Sequence, residues 1–165
     1  DLKALYLEEK SDRKRLIDIV KASASLPYVC PIAYVDNLPM LDGGITDSIP
    51  IERSINQGYK QNIVVLTRNL GFRKNKRTMK APSFIYNKYP LLRQALSNRS
   101  HIYNKQLEMV EQMEQDGSIL VIRPERPIVV GRMERNVKKL AELYQEGYEC
   151  AAKAFNLRPE FFTEP

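Results

Sequence analysis

Two short runs of apolar, mostly β-branched residues place the strongest constraint on the fold. Residues 62–67 read Asn-Ile-Val-Val-Leu-Thr, and residues 118–123 read Ser-Ile-Leu-Val-Ile-Arg. Neither run alternates apolar with polar side chains, which is typical of a strand that is covered on both faces. Each run follows a segment with helical spacing, and helix followed by buried strand is typical of α/β proteins. The sequence therefore predicts an α/β fold with a mainly parallel sheet.

Residues 1–61 add three shorter elements. Residues 11–24 place apolar side chains three or four apart, which predicts a helix. Residues 31–42 form two apolar runs around Asp-Asn and predict a strand, a turn and a strand. Residues 50–58 begin on proline and end on glycine, which predicts a short helix with Asp47 or Ser48 as its cap.

Three helices are expected in the rest of the chain. Residues 83–97 have helical character, with an interruption expected at Pro90. Residues 103–113 carry apolar side chains on one helical face, and this helix should end at Gly117. Residues 134–155 predict a long amphipathic helix.

Length and composition bound the class of protein. The chain has 165 residues, 43% of them hydrophobic, which fits one globular domain. No apolar run reaches the roughly 18 residues that span a bilayer, and the first residues do not resemble a signal peptide. We therefore expect a cytoplasmic protein. The two cysteines, Cys30 and Cys150, lie far apart and His101 is the single histidine, so we expect no metal and no cofactor.

The net charge of +6 is concentrated in one stretch after the first apolar run. Its basic residues are Arg68, Arg73, Lys74, Lys76, Arg77 and Lys80. Such a run fits a solvated loop, contact with an anionic substrate or membrane surface, or nucleic acid. Nucleic acid is the least favoured of the three, because no RNA-binding, zinc-finger or helix-turn-helix pattern accompanies the charge.

The sequence Asp42-Gly43-Gly44 is the strongest candidate for chemistry. Paired glycines allow positive φ angles and the close approach of another atom, and the end of a strand holds a carboxylate rigidly. A catalytic aspartate would be mounted in this way. A hairpin turn without chemistry gives the same local pattern, so these residues alone leave both interpretations open.

The wider passage resembles the second signature of the patatin-like phospholipases. Ala22-Ser23-Ala24-Ser25-Leu26-Pro27 ends a helix, an apolar segment leads to Asp42-Gly43-Gly44, and Pro50 follows. The resemblance covers residues 1–67, with residues 68–165 as a C-terminal extension of helices and a strand within one partial domain. It implies the C-terminal portion of a three-layer α/β/α fold.

The resemblance also implies a reaction. Members cleave lipid acyl esters with a Ser-Asp dyad, in which Asp42 would be the base and Gly43 and Gly44 would shape its turn. The family's Gly-x-Ser-x-Gly and its glycine-rich oxyanion loop do not occur in the sequence. We therefore expect the serine to lie outside these 165 residues, and the chain alone to be inactive.

Three functions remain as hypotheses. The first is part of a phospholipase or esterase, with a lipid or ester substrate and anionic headgroups at Arg68, Arg73, Lys74, Lys76 and Arg77. The second is an interaction module that assembles through the helix over residues 134–155, in which case the chain alone would form a stable complex. Self-association through an open strand edge at residues 63–67 belongs to the same hypothesis. The third, nucleic-acid binding, predicts affinity that falls steeply with salt.

Overall fold

The computed structural model of the chain describes residues 2–75, 86–131 and 134–162. It contains four α-helices and four short strands within these ranges, so the predicted α/β class is confirmed. The chain divides into two compact units. Unit 1 comprises residues 1–49 and 74–106, and unit 2 comprises residues 50–73 and 107–165. Whether the whole chain behaves as one domain stays a prediction.

Unit 1 is built around a helix and a hairpin. Its elements are α1 (Arg13–Ser23), β1 (Ala33–Val35), β2 (Leu38–Met40), a 3-10 helix (Gly43–Ile45) and the first part of α3 (Pro90–Gln115). The side chain of Asp12 caps α1, since it accepts hydrogen bonds from Lys14 N at 2.8 Å and Arg15 N at 3.0 Å. The predicted helix over residues 11–24 is confirmed.

Arg15 links the start of α1 to the hairpin. Its guanidinium pairs with Glu9 at 2.9 Å and with Asp36 at 2.8 Å. Glu9 also accepts hydrogen bonds from the backbone of Asp12 and Ser11, which with Arg15 hold the pKa of Glu9 down at about 2. The carboxylate therefore stays ionised and keeps the chain entering α1 in place.

The predicted strand-turn-strand unit is confirmed as an antiparallel hairpin. Ala33 of β1 pairs with Met40 of β2, and the turn is the Asp36-Asn37 pair. Both turn residues have positive φ, 51° at Asp36 and 62° at Asn37, as a type I′ turn requires. Aspartate and asparagine tolerate this conformation better than most residues do. The turn directs β2 toward Asp42.

Unit 2 contains the parallel pair of strands. Its elements are α2 (Ile51–Asn56), β3 (Ile63–Val65), the end of α3, β4 (Leu120–Ile122), α4 (Val137–Leu157) and a 3-10 helix (Pro159–Phe161). β3 and β4 pair in parallel with Ile63 opposite Leu120, as the two apolar runs predict. Val110 and Ile119 are the most completely buried large side chains of this unit.

The expectation that β3 is covered on both faces is wrong. Val64 is buried, but the flanking Ile63 is 40% exposed and Val65 is 70% exposed. The strand therefore has one covered face, although its sequence is apolar throughout. Among the described residues β4 is its single partner strand, so the second edge of β3 carries no strand hydrogen bonds.

Two helix predictions need correction. Pro90 does not interrupt a helix but begins α3, which continues without a break to Gln115. Residues 86–88 before it form a turn, and residues 83–85 of the predicted helix lie outside the described residues. Proline is tolerated at a helix start, where its missing N–H has no helical partner. The cap expected for α2 at Asp47 or Ser48 is also wrong, since Pro50 occupies the cap position without a side-chain hydrogen bond.

The amphipathic helix α4 exposes much of its apolar side. It spans Val137–Leu157, close to the predicted 134–155, and none of its residues is buried. Tyr144 is 74% exposed, and Tyr148 and Phe155 are exposed as well. A surface helix normally turns this face toward a core, and α4 differs from the other helices in having no buried residue.

Substitution of Ile119 should show how much the core of unit 2 contributes to stability. Ile119→Ala leaves a cavity at a side chain that is 1% exposed. We expect the free energy of unfolding to fall by about 2–5 kcal/mol, measured in urea by circular dichroism. Val129→Ala, at a side chain that is 96% exposed, should change it by less than about 0.5 kcal/mol. Equal losses in the two variants would contradict the assigned core.

Candidate functional site

Asp42 is held by its backbone and by its side chain. Its N–H donates to the carbonyl of Ser25, two residues after the end of α1, at 2.9 Å. Its Oδ1 accepts a hydrogen bond from Gly44 N at 2.7 Å, so the carboxylate caps the 3-10 helix Gly43–Ile45. The end of α1 and the Asp-Gly-Gly turn, two parts of the family signature, are therefore in direct contact.

The two glycines do not adopt positive φ angles, and the distances around them show where the lack of a side chain matters. Positive φ occurs at Gly58, Gly71 and Gly117 but at neither Gly43 nor Gly44, so this part of the sequence-based explanation is wrong. A Cβ atom on Gly44 would lie 2.9 Å from Asp42 Oδ1 and 3.3 Å from Arg99 Nη2. A Cβ atom on Gly43 would have Ser23 Oγ as its nearest neighbour, 3.9 Å away. A side chain at position 44 would therefore collide with Asp42, whereas one at position 43 would not.

Helix α3 holds the loop that follows Asp42 at two places. Arg99 Nε donates to the carbonyl of Gly44 at 2.8 Å, and the Ser48 hydroxyl donates to the same oxygen at 2.8 Å. Seven residues further along α3, Gln106 Oε1 accepts hydrogen bonds from Ser48 N at 3.2 Å and Ile49 N at 3.1 Å. Residues 44–49 are therefore bonded to side chains on one helix.

Asp47 also helps to attach the loop of residues 44–49 to α3. Its Oδ1 accepts from Gln106 Nε2 at 2.6 Å, and its Oδ2 accepts from the hydroxyl of Tyr6. The sequence predicts a helix-capping role for Asp47, but the structure uses its carboxylate to join residue 6 and α3 to the loop. Both carboxylate oxygens accept hydrogen bonds, so Asp47 is engaged as a structural acceptor.

Arg99 and Gln106 are missing from the residues predicted from the sequence. Both lie on the same side of α3 as Tyr103, which is 8% exposed, four residues after Arg99 and three before Gln106. Polar side chains at these spacings from a buried aromatic residue should lie against other protein groups. This spacing is the signal that would have identified them.

The basic stretch is partly occupied by contacts within the protein. Arg73 forms two hydrogen bonds with the carboxylate of Glu111, at 2.9 and 2.6 Å, and this pairing lowers the pKa of Glu111. The ammonium of Lys74 lies 3.5 Å from the centre of the Tyr103 ring, a cation–π contact. Arg68 lies over the ring of Phe72 at 4.9 Å. The remaining basic residues of the stretch, Lys76, Arg77 and Lys80, lie outside the described residues.

A second surface feature lies in unit 2, where a cavity of about 380 Å³ is lined mostly by charged side chains. The lining residues are Glu125, Arg126, Glu146, Glu149, Cys150 and Lys153. An acyl chain requires apolar walls, so this cavity does not suit one. Within the described ranges, no three histidine, cysteine or carboxylate side chains are grouped to hold a metal ion. Nor does any helix in those ranges combine the length and the apolar character needed to cross a bilayer.

Alanine substitutions at the two glycines should differ sharply. Gly44→Ala places a methyl group 2.9 Å from Asp42 Oδ1, so the carboxylate or the loop must move. We expect a loss of about 1–3 kcal/mol in the free energy of unfolding, measured by urea denaturation. Gly43→Ala is the matched control and should change it by less than about 1 kcal/mol. A larger loss at Gly43 than at Gly44 would contradict the observed packing.

Comparison with known families identifies two segments of the chain. The family model described as patatin-like phospholipase matches residues 2–55, which include Asp42. The model described as a domain of unknown function, DUF6363, matches residues 89–162, which include α3 and α4. No curated protein and no solved structure matches the chain significantly. Residues 2–55, which carry the signature around Asp42, are thus similar to the patatin-like phospholipase family.

Proposed function

We propose that the chain is part of a lipid acyl hydrolase in which Asp42 is the base of a Ser-Asp dyad. The family match supports a lipid hydrolase. The observation that carries the role of Asp42 is the orientation of its carboxylate. Among the described residues, Oδ1 accepts from Gly44 N and no donor is bonded to Oδ2. Oδ2 is therefore the oxygen available to a serine hydroxyl.

The reaction follows from this arrangement. Asp42 takes the proton as the serine oxygen attacks the acyl carbonyl, and the proton then passes to the leaving alcohol. Water next attacks the acyl-serine ester while Asp42 takes a proton from it. The serine oxygen then leaves the acyl carbon and regains that proton from Asp42, and the carboxylic acid is released. Because Gly-x-Ser-x-Gly does not occur in the 165 residues, the serine comes from outside them and the chain alone is inactive.

The substrate class rests on the family and on charge. Patatin-like phospholipases act on lipids, which fits a lipid or ester substrate. Arg68 and Arg73 are exposed at the start of the basic stretch, and the chain carries a net charge of +6. Anionic headgroups or a membrane surface would be attracted to such a stretch. The pairing of Arg73 with Glu111 reduces what Arg73 itself contributes.

The role of Asp42 is tested in the natural protein that contains these residues, with a short-chain chromogenic ester as substrate. Asp42→Asn keeps an oxygen that can accept from Gly44 N but removes the base. We expect kcat to fall by about 10²–10⁴-fold, because this is the usual contribution of a general base.

Asp36→Asn provides the matched control for that experiment. It removes a carboxylate from the same unit, at a turn position with a φ of 51° that asparagine also tolerates. We expect its kcat to stay within about twofold of the wild-type value, since the surface ion pair with Arg15 contributes little. Full activity of Asp42→Asn would exclude Asp42 as the base.

A second candidate function is assembly of two copies of this chain through α4. The exposure of Tyr144, Tyr148 and Phe155 on α4 favours it, as does the strand edge of β3 that lacks a partner among the described residues. Aromatic side chains are enriched at protein interfaces because each covers a large apolar area.

Sedimentation velocity of the 165-residue chain tests this candidate. We expect a concentration-dependent rise in mass toward that of a dimer, because association would cover the exposed apolar side of α4. The double substitution Tyr144→Ser and Tyr148→Ser should abolish the rise, whereas Glu142→Ser, at an exposed acidic residue of the same helix, should not. A wild-type chain that stays monomeric at all concentrations would exclude the assembly.

A further inference from the structure

We propose that α3, which lies in the region matched by the domain of unknown function, positions the catalytic loop, with Arg99 and Gln106 as the positioning residues. This inference rests on the proposed role of Asp42 as base. It assigns a function to a region whose family description gives none. The contacts that carry it all lie within unit 1.

The first contact fixes the residue that orients the carboxylate. Gly44 donates its N–H to Asp42 Oδ1 at 2.7 Å, and its carbonyl accepts from Arg99 Nε at 2.8 Å. Asp42 and α3 are therefore joined through a single residue. Movement of α3 at Arg99 would move Gly44 and, with it, the donor that holds Oδ1.

The packing around Gly44 strengthens this link. The position that a Cβ would occupy lies 2.9 Å from Asp42 Oδ1 and 3.3 Å from Arg99 Nη2. The carboxylate of Asp42 and the guanidinium of Arg99 thus both lie against the Cα of Gly44, in the space that a side chain would fill. Among the described residues no ion pair engages Arg99, so its donation to the Gly44 carbonyl is its principal polar contact there.

The second contact stops the loop from rotating about the first. Gln106 uses both ends of its amide, since Oε1 accepts from Ser48 N and Ile49 N while Nε2 donates to Asp47. Arg99 and Gln106 are seven residues apart, which is about 20° short of two helical turns. Both side chains therefore project from one side of α3, and the loop is held at two points along the helix.

A loop held in this way suits catalysis by a dyad. With no histidine between base and nucleophile, the carboxylate must itself lie within hydrogen-bonding distance of the serine. A misplacement of about 1 Å in such a site costs about 100-fold in rate. Arg99 and Gln106 touch the loop and not the substrate, so they act through Asp42 and are not catalytic residues themselves.

The contacts are tested first without reference to activity. Hydrogen exchange of the peptide covering residues 42–49 is measured in the natural protein that contains the chain. We expect Arg99→Met and Gln106→Ala to increase its exchange rate roughly two- to tenfold, because each removes a hydrogen-bond partner of the loop. The matched controls on the same helix, Arg93→Met and Gln94→Ala, replace exposed side chains and should leave the rate unchanged.

Kinetics of ester hydrolysis in the same variants test the positioning role. We expect Arg99→Met and Gln106→Ala to lower kcat about 10- to 100-fold with KM unchanged, and Arg99→Lys to recover part of the loss because it keeps a donor. In an Asp42→Asn background, Arg99→Met should cause no further loss, because it acts through Asp42. A merely structural role would lower activity equally in both backgrounds.

The combined results of hydrogen exchange and kinetics distinguish the positioning role from the proposed function. Unchanged hydrogen exchange in Arg99→Met and Gln106→Ala would show that α3 does not hold the loop and would overturn the inference. Faster exchange with unchanged kcat, while Asp42→Asn abolishes hydrolysis, would overturn the positioning role and leave the proposed function intact. If Asp42→Asn remains fully active, the proposed function fails and the positioning role fails with it. Faster exchange together with a loss confined to kcat supports the inference.

Discussion

The hydrogen bond from Gly44 N–H to Asp42 Oδ1 is the interaction on which the candidate site depends. This bond engages Oδ1 of the Asp42 carboxylate, which follows the hairpin. Among the described residues no donor is bonded to the other oxygen, Oδ2. The bond forms because Gly44 carries no side chain that would collide with Oδ1. The backbone bond from Asp42 to Ser25 then fixes the same residue to the end of α1. A mobile surface turn would not hold a carboxylate in this way.

Helix α3 connects the two family-matched parts of the chain. The patatin-like match ends at residue 55 and the second match begins at residue 89, yet Arg99 and Gln106 bond to residues 44–49. The first part of α3 is therefore integral to unit 1 and is not an appended segment. This arrangement gives a physical reason for the two segments to occur in one chain, since one supplies the carboxylate and the other supports its loop.

Local sequence signals predicted the elements that depend on local chemistry. The Asp36-Asn37 turn, the helix α1 and the parallel pairing of β3 with β4 follow from turn propensity, helical spacing and apolar runs. The predictions that were wrong or missing concern features that depend on tertiary contacts. Burial of β3 on one face, the unbroken start of α3 at Pro90 and the contacts of Arg99 and Gln106 depend on which segments lie nearby. The family resemblance located Asp42, but the reason for Gly44 required the distances around it.

The central proposal is that Asp42 serves a nucleophilic serine supplied from outside these residues. Covalent labelling of the natural protein with a fluorophosphonate, followed by mapping of the labelled peptide, tests this claim most directly. We expect a single labelled serine, in a Gly-x-Ser-x-Gly sequence outside the 165 residues, and labelling that Asp42→Asn slows strongly. A label on a serine within these residues, or labelling that does not depend on Asp42, would contradict it.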